Sequence, residues 1–308
     1  MQIVISGASG LIGKAVSTSL RAGGHQVRIL VRRPAASPSE VRWNPTAGIL
    51  DPGALDGADA VINLSGAGIG DRPWTPGRIR ELYASRILST RTLVKGMTLL
   101  ASPPSVFISQ SASGYYGNAG AETLTEAAPA GKGVLAELCT EWEAEASRAP
   151  AGVRVVLPRT GVVLSPKGGA LGKLLPLLRL GVGGPLGNGR QYWPWIALPD
   201  VARAFGFMLE TPLSGEPLSG PVNLSAPEGA DVNTLISTLA AAMNRPAVLR
   251  VPGPLLHLVM GRLADELLLA SQRLDPARLR SAGFQWQYPS LGSAAEWIAR
   301  PQEAGRIS

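Results

Sequence analysis

The sequence predicts an α/β protein, with a Rossmann-type doubly wound parallel sheet and a small mixed α/β cap in its C-terminal part. Three observations support this fold class. Short apolar runs typical of buried parallel strands recur as far as residue 224, helical patterns alternate with them, and a glycine-rich segment directly follows the first run. Beyond about residue 165, glycine- and proline-rich stretches interrupt the alternation, which indicates a separate unit.

The chain opens with a βαβ pattern that continues through its first half. Strands are predicted over residues 2–6, 27–31, 60–64, 106–109, 153–158 and 222–224. The predicted helices between them include residues 11–22, 79–100 and 134–147. Helical crossovers of this kind are what parallel strands require, because the chain must return to the starting edge of the sheet.

The cap is predicted from the pattern of the C-terminal part. Loop-like segments surround an apolar helix near residues 171–180, and two further helices at 233–243 and 254–270 flank a short strand-like run at 247–251. We therefore divide the chain into a sheet domain, residues 1–164 plus about 194–226, and a cap, about 165–193 plus 227–308.

Composition narrows the class of protein. The chain has 29 lysine and arginine residues and 22 acidic residues, which gives a net charge of +7. Because the basic residues are scattered along the chain, we predict a small-molecule ligand rather than nucleic acid. A phosphorylated small molecule suits the positive net charge. Cys139 is the only cysteine, which excludes an intrachain disulfide and indicates a reducing cytoplasm; we predict no metal site. No apolar run is long enough for a membrane span and no signal peptide is visible. Homo-oligomerisation is left open.

A glycine-rich turn lies between the first strand and the first helix. Gly7, Gly10 and Gly13 have the spacing of a dinucleotide-binding turn, in which they serve the tight turn, the approach of the pyrophosphate and the packing of the helix, respectively. The turn also contains Ser9, Leu11 and Ile12, which we include in the predicted cofactor site. The alternative is a plain strand-to-helix turn without a ligand.

The end of the second strand selects between cofactors. A carboxylate here typically binds the ribose 2′-hydroxyl of NAD, but this sequence has Arg32 and Arg33 instead. A guanidinium suits a 2′-phosphate, so we predict NADP(H) in preference to NAD(H). In the alternative interpretation, both arginines are solvated surface residues.

Three motifs together resemble the extended short-chain dehydrogenase/reductase superfamily: Gly7-Ala-Ser-Gly-Leu-Ile-Gly13, Asp59-Ala-Val-Ile-Asn-Leu-Ser-Gly66 and Ser111-Ala-Ser-Gly-Tyr-Tyr-Gly117. The chain is most similar to a group described as nucleoside-diphosphate-sugar epimerases with a small C-terminal domain of unknown function. Ser85-Arg86, Arg159-Thr-Gly, Gly187-Asn-Gly-Arg-Gln191 and Gln272-Arg273 also resemble this group. The resemblance implies that Leu64, Ser65, Gly66 and Arg86 lie beside the cofactor.

The catalytic pair of the superfamily is absent. Members that move hydride use Tyr-x-x-x-Lys, in which the lysine lowers the tyrosine pKa, but none of the five tyrosines here has lysine four residues later. By the resemblance, the matching helix is residues 134–143, with Leu135 near the tyrosine position and Cys139 near the lysine position. Cys139 is predicted to be a core thiol rather than a nucleophile, because only glutamates lie near it on the helix.

The remaining candidates for proton transfer are hydroxyls on the loop after residues 106–109. They are Ser111, Ser113, Tyr115 and Tyr116, with Ser111 favoured as a hydrogen-bond donor. For Tyr116, a packing role is the stronger alternative.

Substrate phosphates would need cations. Arg86, Arg159, Lys167 and Arg190 are the candidates, because a nucleotide sugar carries two phosphates. Arg159 has a structural alternative, a tie between strand and helix. The other three have the alternative of solvated charges.

The sequence supports two functions. The first is an NADP(H)-dependent epimerase or oxidoreductase acting on a nucleotide-sugar-like or other carbonyl or hydroxyl substrate. The second is a non-catalytic protein that senses NADP(H) or scaffolds a partner, which would explain an intact cofactor turn beside an absent catalytic pair.

Overall fold

The computed structural model describes residues 1–169, 171–210 and 217–300. Within these ranges the chain forms fifteen strands. They are β1 (Gln2–Ser6), β2 (Gln26–Val31), β3 (Glu40–Asn44), β4 (Ile49–Leu50), β5 (Ala60–Asn63), β6 (Val106–Ser109), β7 (Ser111–Ala112), β8 (Thr123–Leu124), β9 (Arg154–Thr160), β10 (Val162–Leu164), β11 (Tyr192–Trp193), β12 (Trp195–Ala197), β13 (Gly220–Leu224), β14 (Ala230–Asp231) and β15 (Arg273–Leu274).

The same ranges contain nine α-helices and a few shorter helical turns. The α-helices are α1 (Leu11–Ala22), α2 (Pro76–Thr98), α3 (Val134–Ala146), α4 (Leu171–Arg179), α5 (Leu198–Leu209), α6 (Val232–Ala242), α7 (Gly253–Met260), α8 (Ala277–Ser281) and α9 (Leu291–Ala299). The 3₁₀ turns span Pro45–Ala47, Pro52–Ala54 and Ser113–Tyr116, and one π-helical turn spans Ala264–Leu268.

The main sheet has the order β13-β9-β6-β5-β1-β2-β3-β4. Its neighbouring strands run parallel except β3 and β4, and Ile5 of β1 pairs with Ile29 on one side and Ile62 on the other. The winding reverses at β1, since β2 and β5 lie on opposite sides of it. This arrangement confirms the predicted Rossmann-type fold, and it opens a crevice at the carboxyl ends of β1 and β5.

The sheet is apolar on both faces because helices cover both. Alternate residues of a strand point to opposite faces, so Ile3 and Ile5 pack with α1 and α5, whereas Val4 packs with α2 on the other side. Burial on both faces explains why the central strands are continuous apolar runs, which is the pattern that made them predictable.

Among the differences from the predictions, three have a direct physical reason. Strand β3 was not predicted because it is only partly buried and contains polar residues. The run 247–251 is not a strand, and only Val251 forms an isolated bridge, with Leu186. The helix predicted over 254–270 is interrupted at Gly261, which has a φ of +55°, and it continues as the π-helical turn.

A second apolar cluster lies outside the main sheet. It joins α4, the strand pair β10–β12, α6 and α9 through residues such as Leu175, Trp195, Leu235 and Ile298. The predicted division of the chain at about residues 165, 194 and 227 stays a prediction, and its residues 170, 211–216 and 301–308 lie outside the described residues. Among the helices described, none is long and apolar enough to cross a bilayer.

Candidate functional site

The glycine-rich turn joins β1 to α1 at the carboxyl edge of the sheet. Gly7 has a φ of +75°, and a Cβ there would collide with the carbonyl group of Leu64 and lie 2.8 Å from the nitrogen of Ser65. A Cβ on Gly13 would collide with the Gly7 carbonyl oxygen and lie 2.6 Å from the Cα of Ala8. Both positions require glycine, because the neighbouring atoms are backbone.

Gly10 has a different role. Its φ is −72°, and the nearest atom to an added Cβ would be the Gly7 oxygen at 3.5 Å, so the space beside it is open. Gly10 caps α1, whose first turn has no acidic residue and no side-chain capping bond. Ser9 is exposed, and Leu11 and Ile12 are half-buried. The positive end of the helix dipole therefore faces open space, which suits a pyrophosphate.

A buried polar network fixes the neighbouring strand end. The Ser65 hydroxyl donates to the Ser6 hydroxyl (2.9 Å), which donates to Asn63 Oδ1 (2.8 Å). The Asn63 amide in turn donates to the hydroxyls of Thr90 (2.9 Å) and Ser109 (3.3 Å). These bonds connect β1, β5, β6 and α2, so Leu64, Ser65 and Gly66 leave the sheet in a defined direction beside the glycine-rich turn.

The two arginines after β2 have different surroundings. Arg33 forms a bidentate pair with Glu40, with distances of 2.6 and 2.7 Å, across the loop between β2 and β3. The exposed Arg32 side chain has no hydrogen-bond partner in the described part of the chain, and it is available for a ligand phosphate. Of the two arginines, Arg32 is thus the better placed to bind a cofactor phosphate.

A cavity of about 220 Å³ lies at the same edge of the sheet. Its walls come from the segment after β6, from β9 and β10, from α2 and α3, and from the π-helical turn near the C-terminus. Most of the lining is apolar and includes the indole rings of Trp142 and Trp193. The lining side chains with a formal charge are Arg86 and Glu266.

Arg86 is a buried cation, 7% exposed. Two of its five N–H donors bind the carbonyl oxygens of Leu82 (3.2 Å) and Ala67 (3.0 Å), and its centre lies 5.2 Å from the Trp142 ring. Within the described residues, no carboxylate pairs with it. Burial lowers the pKa of Arg86 to about 10, so the guanidinium stays charged at neutral pH. It is available for a ligand oxygen.

Comparison with known proteins identifies the family. Residues 3–224 match the model of the NAD dependent epimerase/dehydratase family, and residues 251–298 match a domain of unknown function, DUF1731. The chain belongs to the NAD-dependent epimerase/dehydratase family. It is 42% identical to an epimerase family protein of Mycobacterium tuberculosis over 293 residues, which is 95% of each chain. The predicted resemblance is confirmed.

Two solved structures of this family are also similar to the chain. The crystal structure of human epimerase family protein SDR39U1 with NADPH has a TM-score of 0.88 and 33% identity, and the match covers 97% of this chain and 99% of that one. The nucleoside-diphosphate sugar epimerase from Corynebacterium glutamicum has a TM-score of 0.77 and 31% identity, over 97% of this chain and 58% of that one.

Leu135 and Cys139, which the sequence resemblance matches to the region of the Tyr-x-x-x-Lys pair, both line the cavity. Burial, followed by the nearby Glu143 carboxylate, raises the pKa of the Cys139 thiol to about 12. The thiol is therefore protonated at neutral pH. These contacts agree with a core thiol and give no support to a nucleophile.

Of the four predicted proton-transfer residues, one lines the cavity and three, Ser111, Tyr115 and Tyr116, do not. Ser113 lines the cavity. Ser111 is fully buried behind it and donates to Glu143 at 2.6 Å, while the hydroxyl of Tyr116 donates to Asn223 at 2.7 Å. Burial raises the pKa of Tyr116. The contacts of Ser111 and Tyr116 are those of structural residues, and the lining of the cavity includes neither of them.

Arg159 forms a buried ion pair instead of lining the cavity. Its guanidinium donates to both carboxylate oxygens of Glu143 at 2.8 Å and to the hydroxyl of Tyr116 at 3.0 Å, and it stacks 3.4 Å from the centre of the Tyr115 ring. Burial opposes its charge, but the bonds to Glu143 raise its pKa above the ordinary value. These contacts correspond to the structural alternative, since Arg159 joins β9 to α3. Tyr115 packs against the Arg159 guanidinium and lies outside the cavity lining.

The other two predicted anchors, Lys167 and Arg190, are exposed and lie outside the cavity lining. Lys167 belongs to a turn whose Gly169 packs on Leu11 at the start of α1, which brings the turn close to the glycine-rich segment. Arg190 lies in the turn before β11, where its backbone nitrogen binds Asn188. In the described ranges, no three His, Cys, Asp or Glu side chains cluster as metal ligands.

Four cavity residues with aromatic, charged or amide side chains were not among the predicted site residues. Trp142 and Trp193 are large apolar residues that the sequence does not distinguish from ordinary core, and Glu266 and Gln272 come from the C-terminal part of the chain. Gln272 belongs to a stretch that resembled the related group, which was a usable signal. Glu266 had none, because its role depends on contact with α3, which is 131 residues away in sequence.

Proposed function

We propose that the protein is an NADP(H)-dependent oxidoreductase or epimerase of the extended short-chain dehydrogenase/reductase type, acting on a carbonyl or hydroxyl group. One observation carries the proposal. The buried Arg86 guanidinium, which pairs with no described carboxylate, lines an apolar cavity at the sheet edge that also holds the glycine-rich turn. A fixed cation in an apolar site stabilises the negative charge that develops on a reacting oxygen.

The cofactor site is formed by backbone at the crevice. Gly7, Gly10 and Gly13 give the pyrophosphate room beside the start of α1, and the exposed Arg32 fits a 2′-phosphate. When bound, the nicotinamide supplies or accepts a hydride. NADPH is also the ligand named for the crystal structure of human SDR39U1, which favours NADP(H) over NAD(H) for this chain.

The cavity residues would act on the substrate oxygen. Arg86 would bind this oxygen through the donors not used by Leu82 and Ala67, and the hydroxyl of Ser113 would provide a further donor. Trp142 and Trp193 would exclude water, which strengthens each of these interactions. Arg86 would thereby supply the positive charge that Cys139 cannot.

The cavity favours a compact substrate. A relative is named as a nucleoside-diphosphate sugar epimerase, so a nucleotide sugar is the competing substrate. Two phosphates need cations, however, and Arg159 is paired with Glu143, whereas Lys167 and Arg190 lie outside the cavity lining. About 220 Å³ with one cation suits a small, mainly apolar carbonyl or hydroxyl compound.

The test uses the purified protein and its cofactors. NADPH and NADH are titrated by fluorescence, and NADPH oxidation is followed at 340 nm with acetophenone, benzaldehyde and cyclohexanone, while UDP-glucose is examined for product isomers. We expect tighter binding of NADPH and turnover of at least one carbonyl compound, with a loss of about 100-fold or more in Arg86→Gln. Tighter binding of NADH, or full activity in Arg86→Gln, would contradict the proposal.

A second function has one observation in its favour. Leu135 and Cys139 line the cavity in place of a catalytic pair, which suits a protein that binds NADP(H) without reaction and reports its redox state. No turnover of any compound, together with a cofactor-dependent change in proteolysis of the C-terminal part, would favour this function. Identical proteolysis of the free and NADPH-loaded protein would exclude it.

A further inference from the structure

Glu266 brings a carboxylate from the C-terminal part of the chain into the cavity. Its Oε2 accepts a hydrogen bond from the backbone nitrogen of Leu135 at 2.9 Å, and its side chain is 18% exposed. Of the residues that line the cavity, it is the one with a carboxylate. It lies within residues 251–298, the stretch that matches the domain of unknown function.

The start of α3 explains why the carboxylate is held there. Gly133 caps this helix without any side-chain bond of its own, and a Cβ at this position would lie 2.9 Å from the Glu266 Oε2. The absence of a side chain on Gly133 therefore leaves the space that the carboxylate fills. The positive end of the helix dipole stabilises its charge, and Arg262 adds a weaker contact at 3.4 Å.

The backbone group that Glu266 touches belongs to Leu135, the residue that the resemblance places near the absent tyrosine. A carboxylate is thus present at this end of α3, and it comes from another part of the chain. It is carried by the π-helical turn Ala264–Leu268, a conformation that often marks functional positions. The opposite charge, Arg86, lines the same cavity.

We propose that Glu266 is the proton-transfer residue of this site and that the C-terminal domain serves to deliver it. The assignment rests on the proposed function. In reduction, the substrate carbonyl carbon gains a hydride from the reduced nicotinamide, the carbonyl oxygen takes the proton of the Glu266 carboxyl group, and the resulting carboxylate regains a proton from water. In oxidation, the carboxylate accepts the hydroxyl proton and the hydride leaves to the oxidised nicotinamide.

A purely structural role as a helix cap is the alternative, and two variants separate the roles. Glu266→Gln keeps an oxygen that accepts the bond from Leu135 but cannot transfer a proton. Glu266→Ala removes both functions. We expect the melting temperature to fall by about 2–4 °C in Glu266→Ala, the size of one lost cap, and to stay near that of the wild type in Glu266→Gln. Arg262→Gln is the control, since it removes the weaker partner and leaves the carboxylate.

The first readout is NADPH-dependent reduction of acetophenone, benzaldehyde or cyclohexanone between pH 5 and 9. We expect Glu266→Gln to lose about 10²–10⁴-fold in kcat and to lose the pH-dependent limb of the wild type, whereas Arg262→Gln keeps most of both. Equal activity and an unchanged pH profile in Glu266→Gln would overturn the assignment while leaving the proposed function intact. A wild type inactive on every compound would overturn the proposed function, and the assignment with it.

The second readout does not depend on turnover. Acetophenone is titrated calorimetrically into the NADP⁺-loaded protein in two buffers of different ionisation enthalpy, which counts the protons exchanged on binding. A ketone oxygen accepts a hydrogen bond only from the protonated carboxyl group, so acetophenone bound in the proposed position requires a proton on Glu266, and we expect proton uptake in the wild type and none in Glu266→Gln. Identical proton counts in the two proteins would show that Glu266 does not face the ligand.

Discussion

The glycine-rich turn allows cofactor binding to be separated from stability with two single substitutions. In Gly10→Ala the new Cβ meets only the Gly7 oxygen, at 3.5 Å, and the φ of −72° is acceptable for alanine. In Gly13→Ala the Cβ would lie 2.6 Å from the Cα of Ala8, inside the contact distance of two carbons. The first substitution intrudes on the proposed pyrophosphate space, and the second intrudes on the protein itself.

The expected magnitudes depend on these distances. Gly10→Ala replaces a tolerable N-cap by a poor one and should lower the free energy of unfolding by no more than about 1 kcal/mol. Gly13→Ala must separate α1 from β1, an overpacking that costs about 1–3 kcal/mol and lowers the melting temperature by roughly 2–4 °C for each kcal/mol. For NADPH, we expect Gly10→Ala to weaken binding at least tenfold, or about 1.4 kcal/mol.

The assay pairs urea unfolding of the cofactor-free variants with fluorescence titration of NADPH. Gly292→Ala is the control, because this glycine lies in α9, outside the cavity lining, and has open space for a Cβ. Gly24→Ala is unsuitable, because the φ of Gly24 is +81°. Wild-type affinity for NADPH in Gly10→Ala would show that no dinucleotide approaches this turn. Wild-type stability in Gly13→Ala would refute the packing argument.

Three further predictions test individual contacts. Arg32→Ala should weaken the binding of NADPH by about tenfold or more and leave the binding of NADH unchanged. Arg33→Ala should alter the binding of neither cofactor strongly, because the Arg33 side chain is paired with Glu40. Equal effects of Arg32→Ala in the NADPH and NADH titrations would contradict this. Because burial raises the Cys139 pKa to about 12, folded protein at pH 8 should resist iodoacetamide. The free energy of unfolding should fall as the pH rises from about 9 toward 12, and it should fall less steeply in Cys139→Ala than in the wild type, since buried tyrosines contribute the rest; equal slopes in the two proteins would contradict this. Arg159→Met should lower the free energy of unfolding in urea by about 3–5 kcal/mol because it leaves a buried carboxylate unpaired; a loss below 1 kcal/mol would exclude a stabilising pair.

The sequence allowed the central strands and the glycine-rich turn to be predicted because their signals are local. A parallel strand buried on both faces is a short apolar run, and Gly7, Gly10 and Gly13 come directly after such a run. Strand β3 gave no such signal, since it is only partly buried at the far side of the sheet. The helix predicted over 254–270 was wrong in its continuity, because an apolar pattern does not reveal that Gly261 turns the backbone to a positive φ.

The sequence alone does not show which charged residues are already paired. Arg32 and Arg33 look equivalent, but only the structure shows that Glu40 holds Arg33. For Arg159 the sequence left both a phosphate anchor and a structural tie open, and its bidentate contact with Glu143 fits the structural tie. A positive charge is available to a ligand only if no carboxylate already pairs with it, and that depends on partners distant in the chain.

By itself, the sequence determined the fold class, the dinucleotide-type turn and the absence of the Tyr-x-x-x-Lys pair, because each is a matter of residue type and spacing along one segment. The tertiary structure alone decided which side chains share the cavity. It joined Arg86 of α2, Ser113 of the segment after β6 and Glu266 of the C-terminal part, three positions separated by 27 and 153 residues. Such contacts arise from how helices pack on the sheet, and no local pattern encodes them.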